Sequence, residues 1–159
     1  MAENTIRRAE ARDIPKILDL LVQVCMVHHN ARPDLFKGPT TKYAPEELAD
    51  LLRDARRPVF VCRGEDGEVL GYAFCLLQEV RNDRLLMDRR TLYIDDLCVD
   101  DTARGRGFGR RLYEHAVAYA RAIGCHNVTL NVWCLNEPAM RFYEKCGLRP
   151  QKVGMEVIL

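Results

Sequence analysis

No stretch of this 159-residue chain approaches the roughly 18 consecutive apolar residues of a membrane-crossing helix, so a membrane is not an expected partner. The opening residues, with Glu3, Arg7, Arg8 and Glu10, lack the apolar core of a secretory signal. An excess of either charge is missing too: 24 Lys+Arg against 23 Asp+Glu leave a formal net charge of +1. A nucleic-acid binder that neutralises phosphates wants a strongly basic face, so nucleic acid is not expected either. The short pairs Arg56-Arg57 and Arg89-Arg90 read as solvated surface. Seven cysteines (Cys25, Cys62, Cys75, Cys98, Cys125, Cys134 and Cys146) include no C-x-x-C pair, and no histidine stands at zinc-binding spacing. Most lie inside apolar runs, where cysteine behaves as a small hydrophobe. The expectation is a reducing, cytoplasmic setting without a metal.

Repeats, low-complexity segments and obvious linkers are absent as well. With 48% hydrophobic and 30% charged residues, the composition is that of one ordinary globular domain over residues 1–159, large enough for a single core.

What is present alternates between strand and helix signals. Thr5 to Ala9 reads as an opening strand. Asp13 offers a helix N-cap and Pro15 a first-turn residue, and apolar residues from Ile14 to Cys25 recur at helical spacing up to about His28. An irregular stretch from Asn30 to Ala44 leads to a second helix from Pro45 to Pro58. Val59–Cys62 and Val69–Leu77 read as a hairpin around Asp66-Gly67. After a charged connection from Arg81 to Arg90 come a strand from Leu92 to Val99, a helix from Phe108 to Ile123 and a strand from Val128 to Trp133. A helix from Glu137 to Cys146, capped by Asn136, and a closing strand from Val153 to Leu159 complete the order β-α-α-β-β-β-α-β-α-β. One helix joins the strands Leu92–Val99 and Val128–Trp133, which should therefore be parallel neighbours through a right-handed crossover. The expected fold is an α/β sandwich on a mixed sheet.

The most informative segment is Val99-Asp100-Asp101-Thr102-Ala103-Arg104-Gly105-Arg106-Gly107-Phe108-Gly109, an eleven-residue link from strand to helix with three glycines at alternate positions. Glycines let a backbone approach a ligand and turn its N–H groups to one point. The helix start adds unpaired N–H groups and the positive end of a dipole. Together they suit anionic oxygens, and Arg104, Arg106, Arg110 and Arg111 surround the turn, so a phosphate or pyrophosphate is the expected ligand. The spacing is not the dinucleotide G-x-G-x-x-G, since Arg110 stands at its last position, and no G-x-x-x-x-G-K-[ST] run exists.

Arg104-x-x-Gly107-x-Gly109 resembles the [Q/R]-x-x-G-x-[G/A] pyrophosphate loop of the GCN5-related N-acetyltransferases. Asn136 through Leu148 resembles that family's N-x-x-A-x-x-F-Y-x-x-x-G-[FL] segment, in the same order and spacing, so the likeness organises Leu92 to Pro150. The resemblance implies a three-layer α/β fold with a mixed, mostly antiparallel sheet, and acetyl-CoA as the acyl donor. It implies that backbone groups of Leu97, Cys98 and Val99 pair with the pantetheine arm. The N–H groups of Arg104, Gly105, Arg106, Gly107, Phe108, Gly109 and Arg110 would hold the pyrophosphate. Asn136 would contact the cofactor nearer the acyl end, and Tyr143 would donate a proton to the leaving thiolate.

Acetyl transfer needs a neutral amine, and with an ammonium pKa near 10.4 only roughly one molecule in a few thousand is neutral at pH 7. A positioned base removes that limit. Asp95 and Asp96 are the candidates, and alternation along the strand points them to opposite faces. The resemblance favours Asp95, through a water because aspartate is short. Cys98 and Cys134 invite an acetyl-cysteine route, but neither has a His or Asp partner nearby in sequence, and direct transfer is expected. His28, His29, Phe36 and Tyr43 lie on or beside the irregular segment that borders the acceptor site in this family.

The expected activity is acetylation of a primary amine on a small molecule or a peptide. A non-catalytic acyl-CoA-binding sensor on the same fold is the alternative, because fold does not fix function. Only 12 residues follow Gly147, fewer than the two closing strands of many relatives, with Pro150 and Gly154 among them. The closing strand either stands alone or pairs with a second copy, which makes a homodimer one candidate assembly.

Overall fold

Hairpin chemistry builds the centre of the sheet. The computed structural model describes residues 6–159, and in it Gly67 takes φ = +77° between β2 (Val59–Arg63) and β3 (Val69–Val80). β3 runs antiparallel to β4 (Arg89–Val99), the longest ladder of the molecule. A short β1 (Ile6–Arg8) pairs antiparallel with β2, and β5 (Asn127–Thr129) pairs parallel with β4, giving the order β1-β2-β3-β4-β5. Thr5, expected in the first strand, lies outside the described residues.

Helices cover both faces. On one side α1 (Ile14–Ala31) and α2 (Pro45–Arg53) bury Ile17, Leu20, Leu48 and Leu51 against Val59, Val61, Tyr72 and Phe74. On the other, α3 (Phe108–Ala122) lays Phe108, Leu112, Ala116 and Ala120 on Phe60, Ala73, Leu92 and Ile94. These four positions share one helical face at spacings of four. α4 (Glu137–Lys145) follows β5 and sets the Phe142 ring against Gly109, where even a Cβ would come within 3.4 Å of it. The architecture is thus the mixed three-layer α/β fold.

Several boundaries differ from the sequence reading: α2 ends at Arg53, short of Pro58, and β3 runs on to Val80. α1 continues three residues past His28, to Ala31. The Arg81–Arg90 connection is shorter than expected, because Arg89 and Arg90 already pair with Val80 and Glu79. β5 ends at Thr129, so Leu130 to Trp133 is not strand.

The closing strand over Val153–Leu159 is not formed. Its alternating apolar residues describe a strand that needs a neighbour, and among the described residues no backbone group from Pro150 onward has one. Val153, Met155, Val157, Ile158 and Leu159 are at least 75% exposed. An ion pair from Arg32 to Glu156 ties this tail to the end of α1.

Candidate functional site

A β-bulge in β4 creates the site. Phe74 pairs with Asp96 but Cys75 pairs with Ile94, so Asp95 is an extra residue without a partner on β3. Bulges bend a strand and re-aim its side chains. Both consequences are visible. The parallel ladder to β5 stops at Tyr93 and Thr129, and β4 continues to Val99 with one edge on β3 and the other open. The strict alternation expected of Asp95 and Asp96 also fails. Asp96 accepts a 2.6 Å hydrogen bond from the Tyr72 hydroxyl, and Asp95 meets Lys42 at 2.6 Å, both from the α1–α2 side of the sheet. The two carboxylates therefore stand together where the strands part.

At the far end of the open edge lies the glycine turn. Asp100 starts it by accepting from the Thr102 N–H (3.0 Å) and hydroxyl (2.8 Å), and Lys16 pins the same carboxylate at 2.5 Å. The Lys16 hydrogen bond and the Thr102 amide hold the Asp100 pKa down at about 2. Gly105 and Gly107 adopt φ of +76° and +82°, left-handed conformations that a side chain would strain. Nothing lies within 4 Å of where their Cβ atoms would be, so the space in front of the turn is clear. Among the described residues, none of the N–H groups from Arg104 to Arg110 has a backbone acceptor; the first is Arg111, bonded to Gly107 at 3.2 Å. Seven adjacent N–H groups ending at a helix start are donors of the kind that suit anionic oxygens.

The arginines around the turn are not equivalent. Arg104 pairs with Asp101 (2.7 Å) and Arg110 with Glu114 (2.8 Å). Arg106 and Arg111 instead stack their guanidinium groups 5.2 and 4.7 Å from the centre of the Phe108 ring. Phe108 itself is buried, so it offers an N–H to the turn while its ring belongs to the core.

Between the turn and the carboxylates lie Leu97, Cys98 and Val99, paired with β3 through Ala73, Tyr72 and Gly71 and open on their other edge. The Cys98 thiol points into the α1 layer, where its Sγ donates to the Leu20 carbonyl at 3.8 Å. Burial, and then the nearby Asp96 charge, push its pKa up to about 12. That thiol is not an activated nucleophile. Cys134 is exposed.

α4 carries two expected residues. The Asn136 side chain accepts from the Ala139 N–H at 3.3 Å as helix cap, which leaves its NH2 group free to donate. Tyr143 is half-buried with its ring 5.0 Å from Phe142. Burial first, then the Asp96 charge, raise its phenol well above the usual value. Asp96 is raised by burial to about 6, against the lowering effect of the Tyr72 hydrogen bond. A phenol that keeps its proton thus lies within electrostatic reach of a carboxylate that ionises just below neutrality.

The irregular segment closes the remaining side. His28 stacks on Phe36 (5.0 Å) and His29 Nδ1 meets the Phe36 carbonyl at 2.8 Å. Tyr43 stacks on Phe74 (5.8 Å) and accepts from Arg57 at 3.2 Å. Lys42, beside it, is pulled down by desolvation but raised more by Asp95, so it stays charged. Sequence reasoning missed Tyr72 and Trp133. Tyr72 gave no signal inside an apolar strand. Trp133, the single tryptophan, stood in what reads as a strand.

The chain matches the acetyltransferase (GNAT) family model over residues 25–148. Glucosamine 6-phosphate N-acetyltransferase 1 of Oryza sativa subsp. japonica is 41% identical over 66 residues, 42% of this chain and 38% of that protein. Streptothricin acetyltransferase of Streptomyces lavendulae is 35% identical over 94 residues, 59% of this chain and 46% of that one. These matches span less than half the length of either relative. Among solved structures, a tetramutant of the BH1408 protein of Bacillus halodurans superposes with TM-score 0.93 at 32% identity, covering 98% of this chain and 99% of that one.

Proposed function

This chain belongs to the acetyltransferase (GNAT) family, and on that premise we propose that it transfers the acetyl group of acetyl-CoA directly to a primary amine of a small molecule or protein. The observation that carries the reading is the parting of β4 from β5 after Tyr93 and Thr129, with the unpaired N–H groups of Arg104–Arg110 at its end. An extended arm can add itself to the open β4 edge as a further strand would. The N–H groups of Arg104–Arg110 would hold its pyrophosphate, with Arg106 and Arg111 beside the turn to balance the charge. Acetyl-CoA supplies an activated thioester in this arrangement.

The chain's own residues do the proton work. Asp96, ionised above about pH 6, takes a proton from the acceptor ammonium and leaves the amine neutral. That nitrogen forms the new C–N bond as the C–S bond breaks. Tyr143 gives its phenol proton to the departing thiolate, Asp96 releases its proton to solvent, and the proton shed by the new amide restores the phenol. Asn136 orients the donor with its free amide hydrogens.

The resemblance favoured Asp95 as base, but geometry favours Asp96. Asp95 is engaged by Lys42, whereas Asp96 is oriented by a buried hydroxyl and sits close enough to Tyr143 to perturb it. Direct transfer is favoured by the buried, high-pKa state of Cys98. A sensor that only binds acyl-CoA has no use for such an acid–base pair. CoA release measured with acetyl-CoA and a panel of primary amines tests the reading; cofactor binding without release on any amine overturns it. Seven free cysteines fit the reducing, cytoplasmic setting that belongs to the same proposal.

Assembly is part of it too. The apolar tail from Val153 to Leu159 and the outer edge of the β5 region both lack a neighbour among the described residues. Two copies related by a two-fold axis can satisfy both by exchanging tails. Light scattering should give a dimer for the whole chain and a monomer after removal of residues 151–159. A monomeric whole chain refutes the exchange.

A further inference from the structure

Lys42 takes no part in the proton steps above, yet its ammonium lies 2.6 Å from the Asp95 carboxylate, on the residue next to the base. It stands outside every helix and strand, in the irregular run between α1 and α2, and half of its side chain is exposed. A long, flexible side chain on a loop loses conformational freedom when it is held in one place. The contacts around Lys42 show what holds it.

They form a closed ring. The Lys42 ammonium stands 5.5 Å from the centre of the Tyr43 ring, and Tyr43 stacks on Phe74 at 5.8 Å. Phe74 packs edge-on against Tyr72 at 4.8 Å and is the strand partner of Asp96. The Tyr72 hydroxyl donates to Asp96, and Asp95 beside it returns to Lys42. The bulge at Asp95 permits the closure, because strict alternation would turn Asp95 to the opposite face from Asp96.

The polar groups acting on Asp96 come from four elements. Tyr72 of β3 donates a hydrogen bond, and Asp95 of β4 is a like charge at the adjacent position. Lys42 of the irregular run is the cation. Tyr143 of α4 and Cys98 of β4 are within reach of its charge but keep their protons. α1 and α2 bring apolar side chains, Leu20, Leu48 and Leu51 among them, to the cluster that buries Tyr72. A like charge disfavours ionisation and an opposite charge favours it. Asp95 by itself would therefore oppose a charge on Asp96, and Lys42 offsets Asp95.

We propose that Lys42 is a positioning residue for the base: by pairing with Asp95 at the β4 bulge it neutralises the charge beside Asp96 and so lets Asp96 work as a carboxylate. Its catalytic consequence rests on the acetyl-transfer reading, whereas its electrostatic consequence does not. The two are separable, since the ionisation of Asp96 is measurable in the protein without any acceptor.

The experiment follows Lys42→Met, Asp95→Asn and the double variant against pH in two ways. One is the 13C carboxyl resonance of Asp96 in the protein alone, assigned by its absence in Asp96→Asn; the other is kcat/KM for CoA release with a primary amine. Lys42→Met should raise both midpoints by about one unit, the low end for a close opposite charge because Lys42 is half exposed. Asp95→Asn should lower both by about one unit, and the double variant should return them close to the parent values. Lys42→Arg should keep the parent midpoints, and added salt should bring Lys42→Met part of the way back. Midpoints that stay in place in Lys42→Met while only KM changes make Lys42 a tether of the irregular run and overturn the proposal. A double variant that keeps the Lys42→Met shift overturns it too, because the effect then does not pass through Asp95. Carboxyl midpoints that move while the kcat/KM limb stays fixed uphold the neutralisation and overturn Asp96 as the base.

Discussion

Replacing Tyr72 by Phe removes one hydroxyl and little else. The Tyr72 ring is fully buried and packs edge-on against Phe74 at 4.8 Å, contacts that a phenylalanine keeps. What disappears is the 2.6 Å hydrogen bond to the Asp96 carboxylate. A hydrogen bond to a charged group is worth about 1.5–3 kcal/mol, and one pKa unit corresponds to about 1.4 kcal/mol. The full loss would raise Asp96 by about one to two units. Water in the cleft takes over part of the lost bond, so a rise of about one unit, from about 6 to about 7, is expected.

If Asp96 must be ionised to accept the ammonium proton, the acid limb of kcat/KM follows its pKa in the free enzyme. That limb should lie near pH 6 in the parent protein and about one unit higher in Tyr72→Phe. Activity at alkaline pH should be largely retained. The assay is CoA release against pH at saturating acetyl-CoA. An acid limb that stays in place in Tyr72→Phe, or moves to lower pH, refutes the assignment of Asp96 as the base.

Four further outcomes follow from the same geometry. Asp96→Asn should abolish most turnover yet raise stability at pH 7 by roughly 1–2 kcal/mol, because a carboxylate whose folded pKa is raised is strained when ionised; thermal unfolding should show that gain above about pH 6 and lose it as pH falls toward the unfolded value. Asp100 has the opposite sign: its pKa is held at about 2, so its contribution of about 2 kcal/mol is present above pH 4 and lost as pH falls through the folded value, and Asp100→Asn should remove that pH dependence from the unfolding curve. Tyr143→Phe should lower kcat about a hundredfold and leave acetyl-CoA affinity within about twofold, as loss of a general acid does. Gly107→Ala should cost about 1 kcal/mol of stability through its left-handed φ and weaken CoA binding by turning the adjacent N–H groups, both readable by calorimetry.

The glycine turn was legible because its requirements are local. Positive φ at Gly105 and Gly107, and a helix starting at Phe108, are matters of a few adjacent residues. The same is true of the α3 stripe and of the Asn136 cap. The β4 bulge was not legible, since whether Asp95 has a partner depends on how β3 and β4 register over their whole length. Without the bulge, alternation separates two carboxylates that the structure brings together. β5 stopped short for the same reason: residues 130–133 look like strand but lose their neighbour when β4 turns away. The tail from Val153 shows the limit most plainly, for its pattern reports that a partner is needed and not where it is. Tyr72 was invisible as a functional residue because its importance lies in one hydroxyl inside an apolar strand.

The central claim is that acetyl passes from acetyl-CoA to an amine in one step within the cleft between β4 and β5. The direct measurement is mass spectrometry of protein and products after mixing with acetyl-CoA, first without and then with a primary amine. The account expects unmodified protein and no CoA release in the first mixture, then CoA and acetylated amine in equal amounts in the second. Acetylated cysteine formed without an amine, or no acetylated product with any amine despite tight acetyl-CoA binding, would contradict it.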